Sequence, residues 1–569
     1  MLNKFEISLP EKIENAVQLK MDEWKQGDKI SRIWNQEADV WTGDDESKWL
    51  GWLDIVGEES EKIDEYKSFA EDVKSEGFTD IVLCGMGGSS LAPEVFAETF
   101  GIGKFHVLDS TVPAQIKTLD GKIDIAKTLF IVSSKSGSTL EPNVFKQYYF
   151  KQVSDAVGKE NAGKHFVAVT DPGSKLEKIA EEDNFRKVFY GKPSVGGRFS
   201  ALTAFGLVPA SAMQLDVEEI LKNAGEMVNA CKSDVPSENP GAFLGTVLGV
   251  CQRMERDKLT IFTSPEIYDL GAWLEQLLAE STGKEGVAII PIDREEILEA
   301  EDYGDDRVFA YLKLKGTGDD SMDEELASIK ALGHPFVYIE VEDKMNLGQE
   351  FFRWEFATAV AGSIMEINTF NQPDVESAKV EARKLTDEFE KTGELPAEEP
   401  FYEEDGIKLF TNQSNINELD EYVGEDKSLG KYLEAFLNHL QEDDYFALLA
   451  YIERSEETDE LLQELRNKVL EKELTATALG FGPRFLHSTG QAYKGGPNSG
   501  VFLQITSEDA EDLEVPGQKY SFGIVKASQA RGDFQVLLER DRRALRVHLT
   551  ENVREDLEKI IDLVPQNAQ

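Results

Sequence analysis

The fold of this chain follows from one stretch, Leu129-Phe-Ile-Val-Ser-Ser-Lys-Ser-Gly-Ser-Thr-Leu-Glu-Pro-Asn143. It opens with a short apolar run of β type, Leu129–Val132, continues through a loop dense in hydroxyl groups, and turns helical after Pro142. A buried strand that enters a helix through such a loop points backbone N–H groups and the positive end of the helix dipole at one place. Lys135 adds a full positive charge. The stretch therefore predicts an anion site, the alternative being an ordinary polar loop.

Further strand runs lie on both sides of this stretch. Asp80–Cys84 is an apolar run that leads into the glycine-rich turn Gly85–Pro93 and then into a helical segment. Lys104–Asp109 and His165–Thr170 are two more strand runs followed by turns. Strands that alternate with helices in this way form a doubly wound parallel sheet, which binds its ligand at the carboxyl ends of the strands.

The same alternation extends over most of the chain and divides it into five regions. We predict a helical N-terminal arm at 1–75, two doubly wound α/β subdomains at 76–214 and 215–384, a charged linker at 385–407 and an α+β region at 408–569. In the last region we expect helices from about 415 to 475 and strands near 501–506, 520–526 and 544–548. A chain of this length is too long for a single core.

Composition excludes several classes of partner. The chain has 569 residues, with 108 Asp and Glu against 60 Lys and Arg, for a net charge of −48. Nucleic acids and anionic membranes need basic faces, so neither is expected as a partner. The three cysteines are too few for a disulfide framework or a zinc site, and no apolar run approaches the ~20 residues of a spanning helix. We expect a cytoplasmic protein.

Five motifs, in one order along residues 80–380, resemble those of the glucose-6-phosphate isomerase family, whose members contain sugar isomerase (SIS) domains. Gly85–Pro93 resembles the family's G-x-G-G-S-x-L-x-P element, and the loop at 134–141 resembles S-K-S/T-x-x-T-x-E. Residues 195–200, 275–284 and 368–379 resemble V-G-G-R-[FY]-S, E/Q-Q-x-x-x-E-S-x-G-K and N-x-F-[DN]-Q-x-x-V-E-x-x-K. The resemblance implies two SIS-type subdomains. The C-terminal extension is similar to the isomerase half of transaldolase–isomerase fusion proteins, although no eight-fold βα repeat precedes it here.

The resemblance also implies roles for individual residues. Glu280 would be the base that moves a proton between C2 and C1, Arg198 would stabilise the enediolate, and Lys379 would help to open the sugar ring. The residues that would contact the substrate or its phosphate are Gly88, Ser89, Ser134, Lys135, Ser136, Thr139, Gln276 and Gln372. Without the resemblance, Glu280 and Lys379 would be interpreted as solvated surface charges.

The sequence departs from the family pattern at the catalytic histidine. The segment Glu301–Arg307, where most members carry it, contains none. Phe485-Leu-His-Ser-Thr-Gly-Gln491 resembles the L-H-S-x-G-Q stretch that carries the histidine in some shorter bacterial enzymes. Histidine suits proton donation near neutral pH. We therefore predict that His487 opens the ring and that the C-terminal region folds back over the cleft, the alternative being a structural histidine.

The implied function is the interconversion of glucose 6-phosphate and fructose 6-phosphate through a cis-enediol or enediolate, as in glycolysis and gluconeogenesis. By the resemblance the enzyme would need no metal and no cofactor and would be a homodimer. Two alternatives stay open: an isomerase of another sugar phosphate such as mannose 6-phosphate, and a non-catalytic regulator that binds sugar phosphates through SIS domains.

Overall fold

A computed structural model describes residues 1–317 and 320–564. In these residues the chain forms three sheets, two of five strands and one of six. No helix among them has both the length and the apolar character needed to cross a bilayer. The fold is mixed α/β with parallel sheets, which confirms the predicted class.

The N-terminal arm is helical except at its start. Residues Lys4–Ser8 form strand β1, and the helices that follow are α1 (Glu11–Gln26), α2 (Lys29–Trp34), α3 (Ile55–Ser60) and α4 (Ile63–Glu76). The prediction of helix from residue 1 is therefore wrong for β1. A five-residue edge strand is specified by the sheet that it joins, and its own sequence gives little periodicity.

The first sheet contains the stretch that predicted the fold. Its elements are β2 (Asp80–Cys84), α5 (Leu91–Phe100), β3 (Phe105–Leu108), α6 (Pro113–Asp120), β4 (Thr128–Ser133), α7 (Leu140–Val157), α8 (Lys159–Ala162), β5 (Phe166–Thr170), α9 (Lys175–Glu182), β6 (Lys187–Tyr190) and α10 (Ala204–Ala212). The strand order is β3-β2-β4-β5-β6, and every pairing is parallel. All residues of β2 and β4 are buried, because helices cover both faces of the sheet.

The second sheet follows the same plan. Its elements are α11 (Val217–Ala230), α12 (Pro240–Arg253), β7 (Lys258–Thr263), α13 (Leu270–Thr282), β8 (Ile290–Asp293), β9 (Arg307–Leu314), α14 (Asp320–Ala331), β10 (Phe336–Val341), α15 (Leu347–Ile364) and α16 (Val375–Thr392). The order is β1-β10-β9-β7-β8, with β1 antiparallel to β10 and the other pairings parallel. Because α16 continues to Thr392, the first part of the predicted linker is helical.

The C-terminal region is a third sheet with its own helices. Its elements are β11 (Tyr402–Glu404), β12 (Ile407–Phe410), α17 (Gln413–Val423), α18 (Leu429–Leu437), β13 (Tyr445–Tyr451), α19 (Glu456–Glu473), β14 (Ala476–Phe481), α20 (Gly490–Gly495), β15 (Gly500–Ser507), α21 (Phe522–Glu539), β16 (Arg543–Leu549) and α22 (Val553–Leu563). The order is β11-β12-β16-β15-β13-β14, and the last four strands are parallel.

Two local predictions in this region are wrong, and together they change its class. Tyr445–Tyr451 is a strand within the expected helical segment, because an uninterrupted apolar run has no periodicity that separates strand from helix. The expected strand near 520–526 is the start of α21, whose Ser521 side chain accepts a hydrogen bond from the backbone N–H of Ile524. The region is therefore mainly a parallel α/β unit rather than α+β. The last five residues of its predicted range, 565–569, lie outside the described part.

The strand order of the first sheet determines where a crevice for a ligand opens. The chain moves from β2 to β3 on one side and then returns to β4 on the other side of β2. A crevice opens at such a switch point, outside the carboxyl ends of the two central strands. The segments that leave these ends are the Gly85–Ser90 turn and the Ser134–Thr139 loop. The two segments predicted to bind substrate are thus neighbours.

Candidate active site

The loop at 134–139, called here the phosphate loop, is held in a compact shape by its own polar groups. Ser134 Oγ accepts a hydrogen bond from the backbone N–H of Gly137 at 3.2 Å and lies 3.4 Å from Thr139 Oγ1. Ser136 Oγ and Ser138 Oγ are 2.7 Å apart. Gly137 has φ +67°, and a Cβ there would lie 2.2 Å from the backbone nitrogen of Leu176. The loop therefore directs its hydroxyls and the N-terminus of α7 to one side.

A cavity of about 460 Å³ opens on that side of the loop. Two of the predicted catalytic side chains, Lys379 and His487, lie in its wall. Lys379 is on the second turn of α16, where its Nζ lies 3.0 Å from Glu376 Oε1. The other lining residues used below are Ser136, Ser138, Thr139, Glu141, Lys175 and Gln529. The cavity thus brings together all three sequence segments expected to act on the sugar ring and phosphate.

One lysine, Lys135, belongs to the phosphate loop and another, Lys175, lies beside it. Of these two, only Lys175 lines the cavity. Lys135 forms an ion pair with Asp171 and donates a hydrogen bond to the carbonyl of Pro193 at 3.1 Å. Lys175, the first residue of α9, lies in the cavity wall, and its backbone N–H donates to Ser136 O at 3.4 Å. Among the described residues no carboxylate lies within ion-pair distance of its Nζ. Sequence reasoning missed Lys175 because it follows a different strand, β5.

His487 is bound to a buried carboxylate at the start of α7. Its Nε2 lies 3.0 Å from Glu141 Oε1, which also accepts a hydrogen bond from Gln529 Nε2 at 2.7 Å. Burial acts to raise the pKa of Glu141, but His487 and Lys379 outweigh it and hold that pKa below its ordinary value. The sequence signal for Glu141 was present, as the acidic residue in the first turn after the phosphate loop. The sequence could not predict that Glu141 is the partner of a histidine 346 residues away.

Arg198 lies fully inside the protein, with its guanidinium bonded on all sides. Its Nε donates to Ser281 Oγ at 2.7 Å, Nη1 to Gln372 Oε1 at 3.0 Å, and Nη2 to the carbonyls of Thr369 and Asn371 at 2.7 and 3.1 Å. Nη1 is also 3.4 Å from Glu280 Oε1. Burial lowers the pKa of Arg198, and the nearby Glu280 opposes that change. Three predicted residues, Arg198, Glu280 and Gln372, thus form one contact group.

Gln276 connects this contact group to the turn that carries His487. Its Nε2 donates to Glu280 Oε2 at 3.0 Å and to the backbone carbonyl of His487 at 2.8 Å. Its Oε1 is buried and has no hydrogen-bond partner within the described part of the chain. Because Gln276 and Glu280 are one helical turn apart on α13, the amide and the carboxylate are presented to the same side.

Gly88 is required by a contact between two backbone segments. A Cβ at this position would lie 1.9 Å from the carbonyl oxygen of Gly197, so the glycine turn and the turn before Arg198 could not approach as they do. The neighbouring Gly87, at φ +53°, lies against the carbonyl of His487 and the side chain of Gln276. Ser89 is half-buried at the end of the same turn. The glycine turn therefore contacts both the turn that carries Arg198 and the turn that carries His487.

The predicted residues form two adjoining groups rather than one ring around the cavity. Ser136, Thr139, Lys379 and His487 line the cavity. Arg198, Glu280, Gln276, Gln372, Gly88, Ser89, Ser134 and Lys135 are outside its wall, and the first four of these are joined to one another through hydrogen bonds or the Arg198–Glu280 contact. His487 belongs to both groups, since its side chain faces the cavity and its carbonyl binds Gln276.

Gln491 is a further residue that sequence reasoning did not assign, and it joins two of the segments. Its Nε2 donates to the carbonyl of Gly283 at 2.9 Å, at the end of the helix that carries Glu280. Its Oε1 accepts from the backbone N–H groups of Asp374 and Val375 at 3.0 and 3.1 Å, at the start of α16. Gln491 thus caps the helix of Lys379 from the C-terminal region. Among the described residues no cluster of His, Cys, Asp and Glu is arranged to hold a metal ion.

Comparison with known proteins shows which proteins the chain resembles. A family model described as phosphoglucose isomerase matches residues 44–293, a range that contains the phosphate loop, Arg198 and Glu280. A probable glucose-6-phosphate isomerase from Methanococcus maripaludis is 28% identical over 58% of this chain and 82% of its own length. A glucose-6-phosphate isomerase from Methanocaldococcus jannaschii is 27% identical over 58% of this chain and 88% of its own length. One from Prochlorococcus marinus is 26% identical over 77% of this chain and 88% of its own length.

The chain is similar to the phosphoglucose isomerase family over residues 44–293. Two solved structures share the fold of this chain. A hypothetical protein from Thermus thermophilus superposes with a TM-score of 0.57 at 23% identity, over 67% of this chain and 99% of that one. A glucose-6-phosphate isomerase from Chlamydia trachomatis superposes with a TM-score of 0.50 at 21% identity, over 65% of this chain and 79% of that one. The resemblance of the C-terminal region to the fusion proteins stays a prediction.

The hydrogen bonds of Arg198 give a prediction about the stability of this protein. Arg198→Lys keeps the charge but cannot donate to side-chain and backbone acceptors on opposite sides at once, so buried acceptors lose their donors. We expect the free energy of unfolding to fall by ~2 kcal/mol or more, measured by urea unfolding of the full chain. The matched control is Arg253→Lys, because Arg253 forms an exposed pair with Glu366. Equal unfolding curves for the two variants would contradict the prediction.

Proposed function

We propose that this protein is a glucose-6-phosphate isomerase, which interconverts glucose 6-phosphate and fructose 6-phosphate through a cis-enediolate. The observation that carries the proposal is the 3.4 Å contact between Glu280 and the buried Arg198, beside a cavity lined by the phosphate loop, Lys379 and His487. A carboxylate beside a fixed guanidinium suits proton transfer next to a carbonyl that gains negative charge. The relatives' names support the same activity.

The phosphate group would bind first, at the N-terminus of α7. Ser136 and Thr139 offer hydroxyl groups to its oxygens, Ser134 supports the shape of the loop, and the helix dipole favours its charge. Lys175 is the lysine beside the phosphate loop that lines the cavity, whereas Lys135 is paired with Asp171 outside the cavity wall. In a chain of net charge −48, these lysines and the N-terminus of α7 would supply the local positive potential that an anion needs.

Ring opening would follow at the other end of the cavity. As the C1–O5 bond of the cyclic sugar breaks, O5 takes up a proton and the C1 hydroxyl gives one up to water, so the number of protons on the sugar does not change. In this proposal His487 supplies the first proton, and Glu141, whose Oε1 lies 3.0 Å from Nε2, would stabilise the protonated imidazole. Lys379 lines the same cavity and adds positive charge near the ring.

Isomerisation of the open chain would then need one base and one stabilising cation. Glu280 takes the proton from C2, the electrons of that C–H bond form the C1=C2 bond, and the C1 oxygen becomes the enediolate oxygen. Arg198 offers its charge to that oxygen, and Gln276 holds Glu280 in position. Once the proton of the C2 hydroxyl has moved to the C1 oxygen, return of the proton from Glu280 to C1 leaves the carbonyl at C2, which is the ketose. Atoms and charge balance over the sequence.

The alternatives make different predictions in one assay. An isomerase specific for mannose 6-phosphate would form fructose 6-phosphate from that epimer faster than from glucose 6-phosphate, and a binding regulator would form none. We expect glucose 6-phosphate to be the better substrate in a coupled assay that compares the two epimers. We also propose a homodimer, tested by sedimentation velocity, and a cytoplasmic location, in keeping with three buried cysteines that form no disulfide.

Glu280→Gln tests the base. The change keeps size and hydrogen bonding but removes the proton acceptor, so we expect kcat to fall at least ~10²-fold. Exchange of the C2 proton with deuterated solvent should fall equally. Interconversion of the α and β anomers, which needs ring opening but no proton transfer at C2, should continue. C2 exchange at the wild-type rate would overturn the assignment.

Lys175→Met tests the phosphate pocket. Because phosphate contacts persist from the bound substrate to the transition state, we expect KM to rise ~10-fold with little change in kcat. The control is Lys135→Met, whose ammonium is already paired with Asp171 and should matter less. A larger rise in KM for the control variant would assign the direct contact to Lys135.

His487→Asn tests ring opening and separates it from isomerisation. Asparagine keeps a polar group near Glu141 but cannot donate a proton as an acid. We expect anomer interconversion, measured by NMR exchange, to slow by ~10²-fold, the lower range for general acid catalysis. An unchanged rate of interconversion would move the role of acid to Lys379.

A further inference from the structure

The turn that carries His487 begins with an arginine whose contacts all lie in another subdomain. The residues Arg484–His487 form a single 3₁₀ turn between β14 and α20. Phe485 and Leu486 fill the positions between the two polar ends and are buried. Arg484 and His487 are thus fixed relative to each other by one short, packed turn. Whatever holds Arg484 therefore also sets the position of His487.

Arg484 is bound to two carboxylates of the first subdomain. Its Nη2 donates to Glu94 Oε1 at 2.8 Å and its Nη1 donates to Glu94 Oε2 at 2.5 Å, which is a bidentate pair. Its Nε lies 2.7 Å from Asp109 Oδ2, a close charge contact at the end of β3. The side chains are only 13%, 11% and 8% exposed for Arg484, Glu94 and Asp109, so solvent screens these contacts weakly.

The carboxylates that hold Arg484 are part of the substrate side of the first sheet. Glu94 is in the first turn of α5, directly after the Gly85–Ser90 turn, and Ser90 Oγ donates to Asp109 Oδ2 at 3.3 Å. The arginines outweigh the effect of burial and hold the pKa of Glu94 below its usual value. Arg484 therefore links the His487 turn to the helix that starts at the glycine turn.

A second arginine binds Glu94 without touching the His487 turn. Arg454 Nη1 lies 3.1 Å from Glu94 Oε1, and Arg454 follows β13 in a different loop of the C-terminal sheet. Its backbone N–H donates to Gln115 Oε1 at 2.7 Å, so that loop has its own anchor on the first subdomain. Arg454 and Arg484 thus share one carboxylate, but only Arg484 is coupled to His487 through a rigid turn.

We infer that Arg484 is a positioning residue for ring opening: by binding Glu94 and Asp109, it holds His487 over the cavity against Glu141. The inference rests on the proposed function, because it needs His487 to act on a cyclic sugar. It assigns to the buried ion-pair cluster a role in the rate of one step, beyond the docking of the C-terminal region. A displacement of about 1 Å in an acid can cost orders of magnitude in rate.

The test uses the full-length protein and compares Arg484→Gln, Arg484→Lys and the control Arg454→Gln. Three quantities are measured for each: kcat and KM for glucose 6-phosphate, anomer interconversion by NMR exchange, and the isotope effect on kcat with substrate deuterated at C2. Arg484→Gln should slow anomer interconversion and kcat by ~10-fold or more and leave KM unchanged. Arg484→Lys, which keeps one charge contact, should fall between Arg484→Gln and the wild type.

The isotope effect separates positioning from a loss of folded enzyme. If ring opening becomes the slow step, the isotope effect of Arg484→Gln falls toward 1, whereas a smaller fraction of active protein leaves it unchanged. Arg454→Gln should stay within about two-fold of wild type in all three quantities, as expected for an interaction at the edge of the cluster. If Arg484→Gln does not fold, Glu94→Gln gives the same test from the other side of the pair.

The outcomes also distinguish this inference from the proposed function. Wild-type interconversion in Arg484→Gln, or an equal loss in Arg454→Gln, overturns the positioning role while leaving the isomerase intact. An isotope effect that stays at the wild-type value overturns it as well. Failure of the isomerase proposal itself would appear in the wild type, as an absence of turnover of glucose 6-phosphate.

Discussion

The burial of the Arg198 guanidinium is the constraint on which the rest of the site depends. A charge removed from water costs several kcal/mol unless it is paired and hydrogen-bonded. Here the donors are matched by Ser281, Gln372, Thr369 O and Asn371 O, and Glu280 supplies the opposite charge. These acceptors come from the end of α13 and from the loop before α16. The two segments must therefore be in place together, so the site is assembled as a unit.

A buried lysine strengthens the same arrangement. Lys284 Nζ donates to the carbonyls of Asn368 and Asn371, and burial next to Arg198 lowers its pKa far below the ordinary value. Two cations thus hold the loop before α16 through its carbonyl groups. Such hydrogen bonds to charged groups contribute roughly 1.5–3 kcal/mol each. Arg198 and Lys284 hold this loop in place, and the carbonyl groups of the loop in turn pair the two buried cations.

The C-terminal region, which contains the third sheet, contributes side chains to the candidate site. It supplies His487 to the cavity, Gln529 to Glu141, and Gln491 to the junction of α13 and α16. Each of these groups makes its contact across a boundary between regions, and each is buried or nearly so. Separating the C-terminal region would leave Glu141, Gly283 and the start of α16 without their partners, at a cost of roughly 1–3 kcal/mol for each buried polar group.

Much of this could be predicted from the sequence, because it is local. The strand–loop–helix units of the first sheet, the anion loop after β4 and the face shared by Gln276 and Glu280 follow from short-range periodicity and spacing. The sequence also indicated that His487 was the histidine placed in a loop able to reach a ligand.

The contacts that the sequence could not specify are those between residues far apart in the chain. The partner of His487 is Glu141, and the lysine near the phosphate loop that lines the cavity is Lys175 rather than Lys135. Strand β1 joins β10, which lies far later in the chain. The strand Tyr445–Tyr451 was also hidden, since a fully buried run of apolar residues looks alike in a strand and in a helix. The sequence alone determined the units and their chemistry; only the tertiary structure decided which side chains meet, because those contacts depend on how three sheets pack against one another.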